Sequence, residues 1–103
     1  MIKLLNEGKI IEYTQGDTFE LVVSGEEAVE NTMLRFVISA DEASSPIIDE
    51  QYQYSDGRFV IALTLGERER LPIGNYIFKI SLLDVSGRVI TYLSGDLIVK
   101  WGV

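Results

Sequence analysis

Leu71-Pro72-Ile73-Gly74-Asn75-Tyr76 forces a corner in the chain. Pro72 fixes its own φ and offers no amide donor, and Gly74 accepts backbone angles closed to other residues. The segment that leaves the corner alternates: Tyr76, Phe78, Ile80 and Leu82 fall on one face of an extended strand over Tyr76 to Leu83. A tyrosine placed just after such a corner has a structural task. Its ring fills the edge of a core while its hydroxyl bonds the backbone of the connection before it. Leu71 is expected to pack under the corner, and Gly74 to permit the sharp turn.

A chain of 103 residues, 47% hydrophobic and 24% charged, makes one globular domain over residues 1–103 with a core of its own. It contains neither cysteine nor histidine. Disulfides, thiolate metal sites, Ser-His-Asp and Cys-His nucleophile systems and histidine-based zinc sites are therefore excluded. Nine Lys and Arg against sixteen Asp and Glu give a net charge of -7 and no basic stripe. Nucleic acid and anionic membranes are disfavoured as partners, and the acidity serves solubility. Met1 to Leu5 is too short an apolar run for a signal peptide and breaks at Asn6-Glu7-Gly8, so synthesis in the cytoplasm is expected. No stretch approaches the length of a transmembrane helix.

Short alternating segments follow one another along the whole chain. Ile2 to Leu5 and Lys9 to Tyr13 form a hairpin around Asn6-Glu7-Gly8, and Gln15-Gly16-Asp17 is the next turn. Thr18 to Ser24 puts Phe19, Leu21 and Val23 on the core face. Gly25 to Asn31 is an acidic loop with room for a helical turn. Thr32 to Ala40 puts Leu34, Phe36 and Ile38 on one face and Met33, Arg35 and Val37 on the other. Ile47 to Tyr54 is polar enough for an edge strand. Asp56-Gly57 is a tight hairpin signal, answered by Phe59, Ile61, Leu63 and Leu65 in phase. Thr64 and Glu67 have capping-box spacing, which predicts one or two helical turns before Pro72. Gly87 supplies the left-handed residue of the last hairpin. Gly95 marks a bulge or bend, and Leu97, Val99 and Trp101 are in phase in the final strand.

Strands at spacings of about 8–12 residues, separated by turn signals, predict an all-β sandwich, with a small barrel as the alternative. The expected architecture is an Ig-like Greek-key β-sandwich of about seven strands, with one short helical turn before the penultimate long strand.

Three stretches carry a family resemblance. They are Tyr13-Thr14-Gln15-Gly16-Asp17-Thr18-Phe19, the Leu71-to-Tyr76 corner, and Gly87 with Ser94-Gly95-Asp96-Leu97-Ile98-Val99. Together they resemble the Ig-like N-terminal domain of phage baseplate upper proteins, and small prophage-associated proteins of Gram-positive bacteria. The resemblance implies a non-enzymatic structural or interaction module that binds other virion or phage structural proteins, with the virion as its final location. It brings no catalytic residues. Because the chain ends at Val103, the expected form is a free-standing accessory protein.

The remaining candidates are weighed by geometry. Glu26-Glu27, Asp41-Glu42 and Asp49-Glu50 are carboxylate pairs, the raw material of calcium sites and glycoside chemistry. None has EF-hand spacing, and neighbours on a strand point to opposite faces, so the pairs are read as solvated charge. Glu67-Arg68-Glu69-Arg70 is read as the exposed side of the short helix. Tyr13, Tyr52, Tyr54, Tyr92 and Trp101 are the candidates for a sugar-stacking platform. Tyr52 and Tyr54, two apart and beside polar neighbours, are the candidates for an exposed ligand or partner surface; the alternative is that these rings cover sheet faces and cross-strand pairs. A carbohydrate-binding module is the alternative to the protein-binding reading. The sequence yields no catalytic, cofactor-binding or metal-ligating residues.

Overall fold

The computed structural model describes residues 2–24, 32–84 and 86–102, with the side chain of Tyr92 outside that description. The acidic loop 25–31, with its Glu26-Glu27 pair and expected helical turn, lies outside the described residues.

Eight strands and one helical turn follow in order: β1 Ile2–Leu5, β2 Ile10–Thr14, β3 Glu20–Ser24, β4 Met33–Ser39, β5 Ile48–Gln53, β6 Arg58–Ala62, α1 Leu65–Arg68, β7 Gly74–Leu83 and β8 Val89–Lys100. Both arms of the N-terminal hairpin count as strands, which raises the number above the expected seven or so. Six strands form one sheet in the order β1-β2-β8-β7-β4-β5, and β3 pairs with β6 in a second. All pairings are antiparallel except β2 with β8, where Ile10 to Thr14 run parallel to Asp96 to Lys100. The chain is an Ig-type β-sandwich.

Alternation does the work of folding. Leu34, Phe36 and Ile38 of β4 and Phe78, Ile80 and Leu82 of β7 form one core with Leu21, Phe59 and Ile61 of the smaller sheet and with Phe19 just before it, all buried. Each such side chain contributes about 1.5–3 kcal/mol by leaving water. A chain of rings crosses the core, Tyr13 to Phe19 to Phe36 to Phe78, with centroids 5.1, 5.9 and 6.3 Å apart. Those spacings suit edge and tilted aromatic contacts.

The turns form as their residues require. Asp56 and Gly57 both take positive φ, 54° and 82°, the signature of a type I′ hairpin, with Ser55 and Arg58 exchanging both backbone bonds. The capping box is present: Glu67 donates its amide to Thr64 Oγ1, and Thr64 donates its amide to Glu67 Oε1. At the corner Leu71 is fully buried, and the Tyr76 hydroxyl donates to the Pro72 carbonyl at 2.6 Å.

Three expectations are corrected. Leu65 does not continue the core face of β6; it opens α1 and is 63% exposed, because the chain turns away at Thr64. Trp101 lies past the end of β8 and is 68% exposed. Gly95 is not the bulge. Ile80 faces Leu93 while Ser81 faces Thr91, so the extra residue is Tyr92. β8 runs unbroken through Gly95, where a Cβ would stand 1.9 Å from the Lys9 carbonyl oxygen. Glycine is needed there for the approach of another backbone.

Candidate functional site

The outer face of the six-stranded sheet is concave. Side chains that alternate away from the core on β4, β7 and β8 line a groove of about 760 Å³, with the loop after β4 at one end. Cross-strand register sets the pattern. Lys79 stands opposite Val37 on one side and Ser94 on the other, and Ile77 opposite Asp96. Arg35 lies at the β4–β5 side, and Asp41 and Glu42 belong to the loop.

The charges are held in place. Arg35 grips Asp49 of β5 with two bonds, Nε to Oδ1 at 2.8 Å and Nη2 to Oδ2 at 2.6 Å. This fork-to-fork pairing fixes the guanidinium plane. It also holds the Asp49 carboxyl below the usual range. Asp41 Oδ1 accepts from the Ser44 hydroxyl and the Ala43 amide, at 2.8 and 2.9 Å, and these bonds lower its pKa. The groove thus presents fixed charges of both signs with the hydroxyls of Ser39, Thr91 and Ser94 between them. The one ring among its lining residues is Phe78, whose side chain is buried in the core. Such a face can make hydrogen bonds and ion pairs with another polar surface, and among the described residues it offers no stacking plane.

The structure separates the expected aromatic platform. Tyr13 is buried, its hydroxyl donating to the Asp17 carbonyl. Tyr52 and Tyr54 are half-buried and pack against the core cluster. The Tyr52 hydroxyl donates across to the Ala62 carbonyl of β6 at 3.1 Å, and Tyr54 meets Phe59 edge-on. Desolvation, with the nearby Glu67 and Glu50 charges, pushes the Tyr52 phenol up to about 12. These two tyrosines join the sheets at the β5–β6 side. Trp101 stands exposed and apart from them.

The carboxylate pairs divide as strand geometry requires. Asp49 points outward to Arg35, whereas Glu50 faces Glu67 of α1. The hydrogen bond and repulsion between these two acids raise the Glu50 pKa. Among the described residues no three His, Cys, Asp or Glu side chains gather as a metal site. The 67–70 stretch divides: Glu69 and Arg70 are exposed as expected, while Glu67 and Arg68 turn inward. Glu67 is buried, Arg68 Nη1 donates to the Asp17 carbonyl at 2.8 Å, and Arg70 Nη1 reaches the Ile47 carbonyl at 3.4 Å. These arginines tie α1 and the residues after it to the turn at Asp17 and to the loop before β5.

Sequence reasoning passed over the groove. The signal was there in Arg35 and Lys79, cationic positions on the non-core faces of two strong strands. What it could not supply was that β4 and β7 are neighbours, which brings those residues onto one surface.

No family model matches the chain, and no curated protein matches it. Among solved structures it is similar to fibronectin(III)-like modules of CbhA from Clostridium thermocellum, with a TM-score of 0.56 and 12% identity over 100% of both chains. That likeness shows the fold, a fibronectin(III)-like sandwich.

Proposed function

We propose that the chain is a non-enzymatic interaction module that binds protein partners, and that its setting is a phage or prophage particle. The observation that carries the binding reading is the concave outer face of β4, β7 and β8, with Lys79 at its centre and Arg35 locked by Asp49. A rigid sheet holding fixed charges of both signs suits a complementary protein surface, which gains specificity from such charges. The fibronectin(III)-like fold is one typically used for contacts between domains. Support for the phage setting comes from the Gln15-Gly16-Asp17-Thr18 strand opening, the Leu71-to-Tyr76 corner and the closing Ser94-Gly95 strand. A carbohydrate-binding reading would draw on Trp101, the exposed ring at the end of β8.

The test is co-expression with the proteins encoded beside this chain, followed by co-purification, with a glycan array in parallel. The expected result is a complex with a neighbouring structural protein that Lys79→Glu disrupts, and a blank array. A positive array with no complex would replace this reading by the carbohydrate one.

A further inference from the structure

The two sides of the sandwich are finished differently. On the β5–β6 side the Asp56-Gly57 hairpin, the Tyr52-to-Ala62 bond and the Tyr54–Phe59 contact stitch the sheets together. Exposed Asp49, Glu50, Gln51 and Gln53 line the strand edge there. Polar edges of this kind discourage pairing with other chains.

The opposite side is open. β1 ends the large sheet and β3 ends the small one. Between them lies a groove of about 200 Å³, whose walls include Leu4, Ile11, Leu21, Val23, Ile80 and Leu93. Leu4 is 56% exposed and Val22 52%. The volume falls below the range of about 300–1,000 Å³ typical of small-molecule pockets, and suits a few aliphatic side chains.

The backbone of β3 adds a second requirement. Leu63 donates its amide to the Phe19 carbonyl, and β3 and β6 continue in that register, Leu21 opposite Ile61 and Val23 opposite Phe59. Antiparallel pairing alternates, so the amides and carbonyls of Val22 and Ser24 point away from β6. Among the described residues no strand pairs with them. An extended segment laid along this edge would satisfy those groups. It would also drop every second side chain into the apolar groove.

We propose that the open edge of β3 takes up an extended segment of a partner protein as an added strand, and that this segment alternates aliphatic residues with basic or polar ones. The aliphatic half answers the groove. The basic half answers the chain's net charge of -7, an attraction exerted by the whole molecule. A second copy would bring the same negative field, which argues against it as occupant. The inference rests on the reading of the chain as a protein-binding module, but it uses a surface distinct from the concave face.

The test is a fluorescence anisotropy titration of the whole chain with a short labelled peptide alternating valine with lysine and threonine. Saturable binding is expected. Val22→Pro should weaken it about tenfold by deleting an outward amide. The fold should survive, because that amide makes no bond to β6; a melting curve checks this. N-methylating the peptide along its bonding edge should weaken binding equally, and Leu4→Lys should do so by charging the groove wall. Lys79→Glu makes the chain more negative and should not weaken it, which separates failure here from failure at the concave face. The proposal is overturned by binding indifferent to both Val22→Pro and N-methylation, by no binding of the alternating peptide, or by a concentration-dependent dimer that Val22→Pro abolishes.

Discussion

The hydroxyl of Tyr76 donates to the carbonyl of Pro72, four residues back, at 2.6 Å. This bond ties the start of β7 to the connection that leaves α1, and so fixes where the chain crosses from one sheet to the other. Burial also raises the Tyr76 pKa, which keeps the donor proton on the phenol. Tyr76→Phe should therefore cost about 1–3 kcal/mol, because it leaves the Pro72 carbonyl without its donor. In a domain of this size each kcal/mol lowers Tm by about 4–8 °C. Thermal melts of the two proteins at one pH decide the matter, and an unchanged Tm would show the bond to be dispensable.

Gly95 faces the backbone of Lys9 more closely than any side chain allows. The added methyl of Gly95→Ala would meet the Lys9 carbonyl oxygen at 1.9 Å and its carbonyl carbon at 2.7 Å. Neither can swing aside as a side-chain tip would, and the same carbonyl accepts the Asp96 amide at 2.9 Å. The substitution should separate β2 from β8 at the start of their parallel ladder. A loss of about 3 kcal/mol is expected, at the upper end of overpacking costs. Urea unfolding would measure it, and Gly66→Ala, where a Cβ meets nothing within 4 Å, is the control.

These two positions show what was legible in the sequence. Tyr76 could be read because its partner is local: corner, ring and acceptor all fall within a few residues. The same holds for Thr64 with Glu67, and for Asp56-Gly57. Gly95 announces itself in the sequence only as an interruption, a bulge or bend, because the residue that requires it, Lys9, is remote in sequence. The groove face and the bare edge of β3 depend on which strands become neighbours. Alternation fixes which side of a strand is buried but not what lies beside it. Tyr52 and Tyr54 were placed on one face correctly, yet whether that face met solvent or the other sheet depended on β6.

Glu50 and Glu67 give the molecule an unusual pH response. The Glu50 pKa is raised above its ordinary value of 4.5 by its hydrogen bond to Glu67 and by the repulsion between them, with Arg70 opposing and Asp49 adding. A carboxyl whose pKa rises on folding contributes stability that is fully present below the unfolded pKa and lost as pH rises through the folded one. Glu50→Gln removes the repulsion but keeps a donor. Its Tm should exceed that of the parent at neutral pH, and the gap should close as pH falls below about 4.5. Asp49 acts in the opposite sense. Its lowered pKa gives stability that is present above the ordinary 3.8 and lost in stronger acid, so Asp49→Asn should lower Tm at neutral pH. Melting curves across the acidic range distinguish the two. A Glu50→Gln curve parallel to the parent's at every pH would remove the pair as its cause.

Tyr52 closes the stitched side of the sandwich, and its substitution separates packing from bonding. Tyr52→Phe keeps the ring against the core but removes the donor to the Ala62 carbonyl. That carbonyl lies at a half-open edge where water can replace the phenol, so a loss of about 0.5–1 kcal/mol is expected. Tyr52→Ala would also withdraw the ring and should cost about 3 kcal/mol, near the low end for aromatic truncation. The phenol supplies a further readout. Its pKa, pushed up to about 12 by desolvation and the two glutamates, should appear in a spectrophotometric titration as a late phenolate step. Removing one glutamate charge with Glu50→Gln should move that step to lower pH. A late step that stays put in Glu50→Gln and vanishes in Tyr52→Phe would remove the Glu50 charge as a cause and leave burial and Glu67.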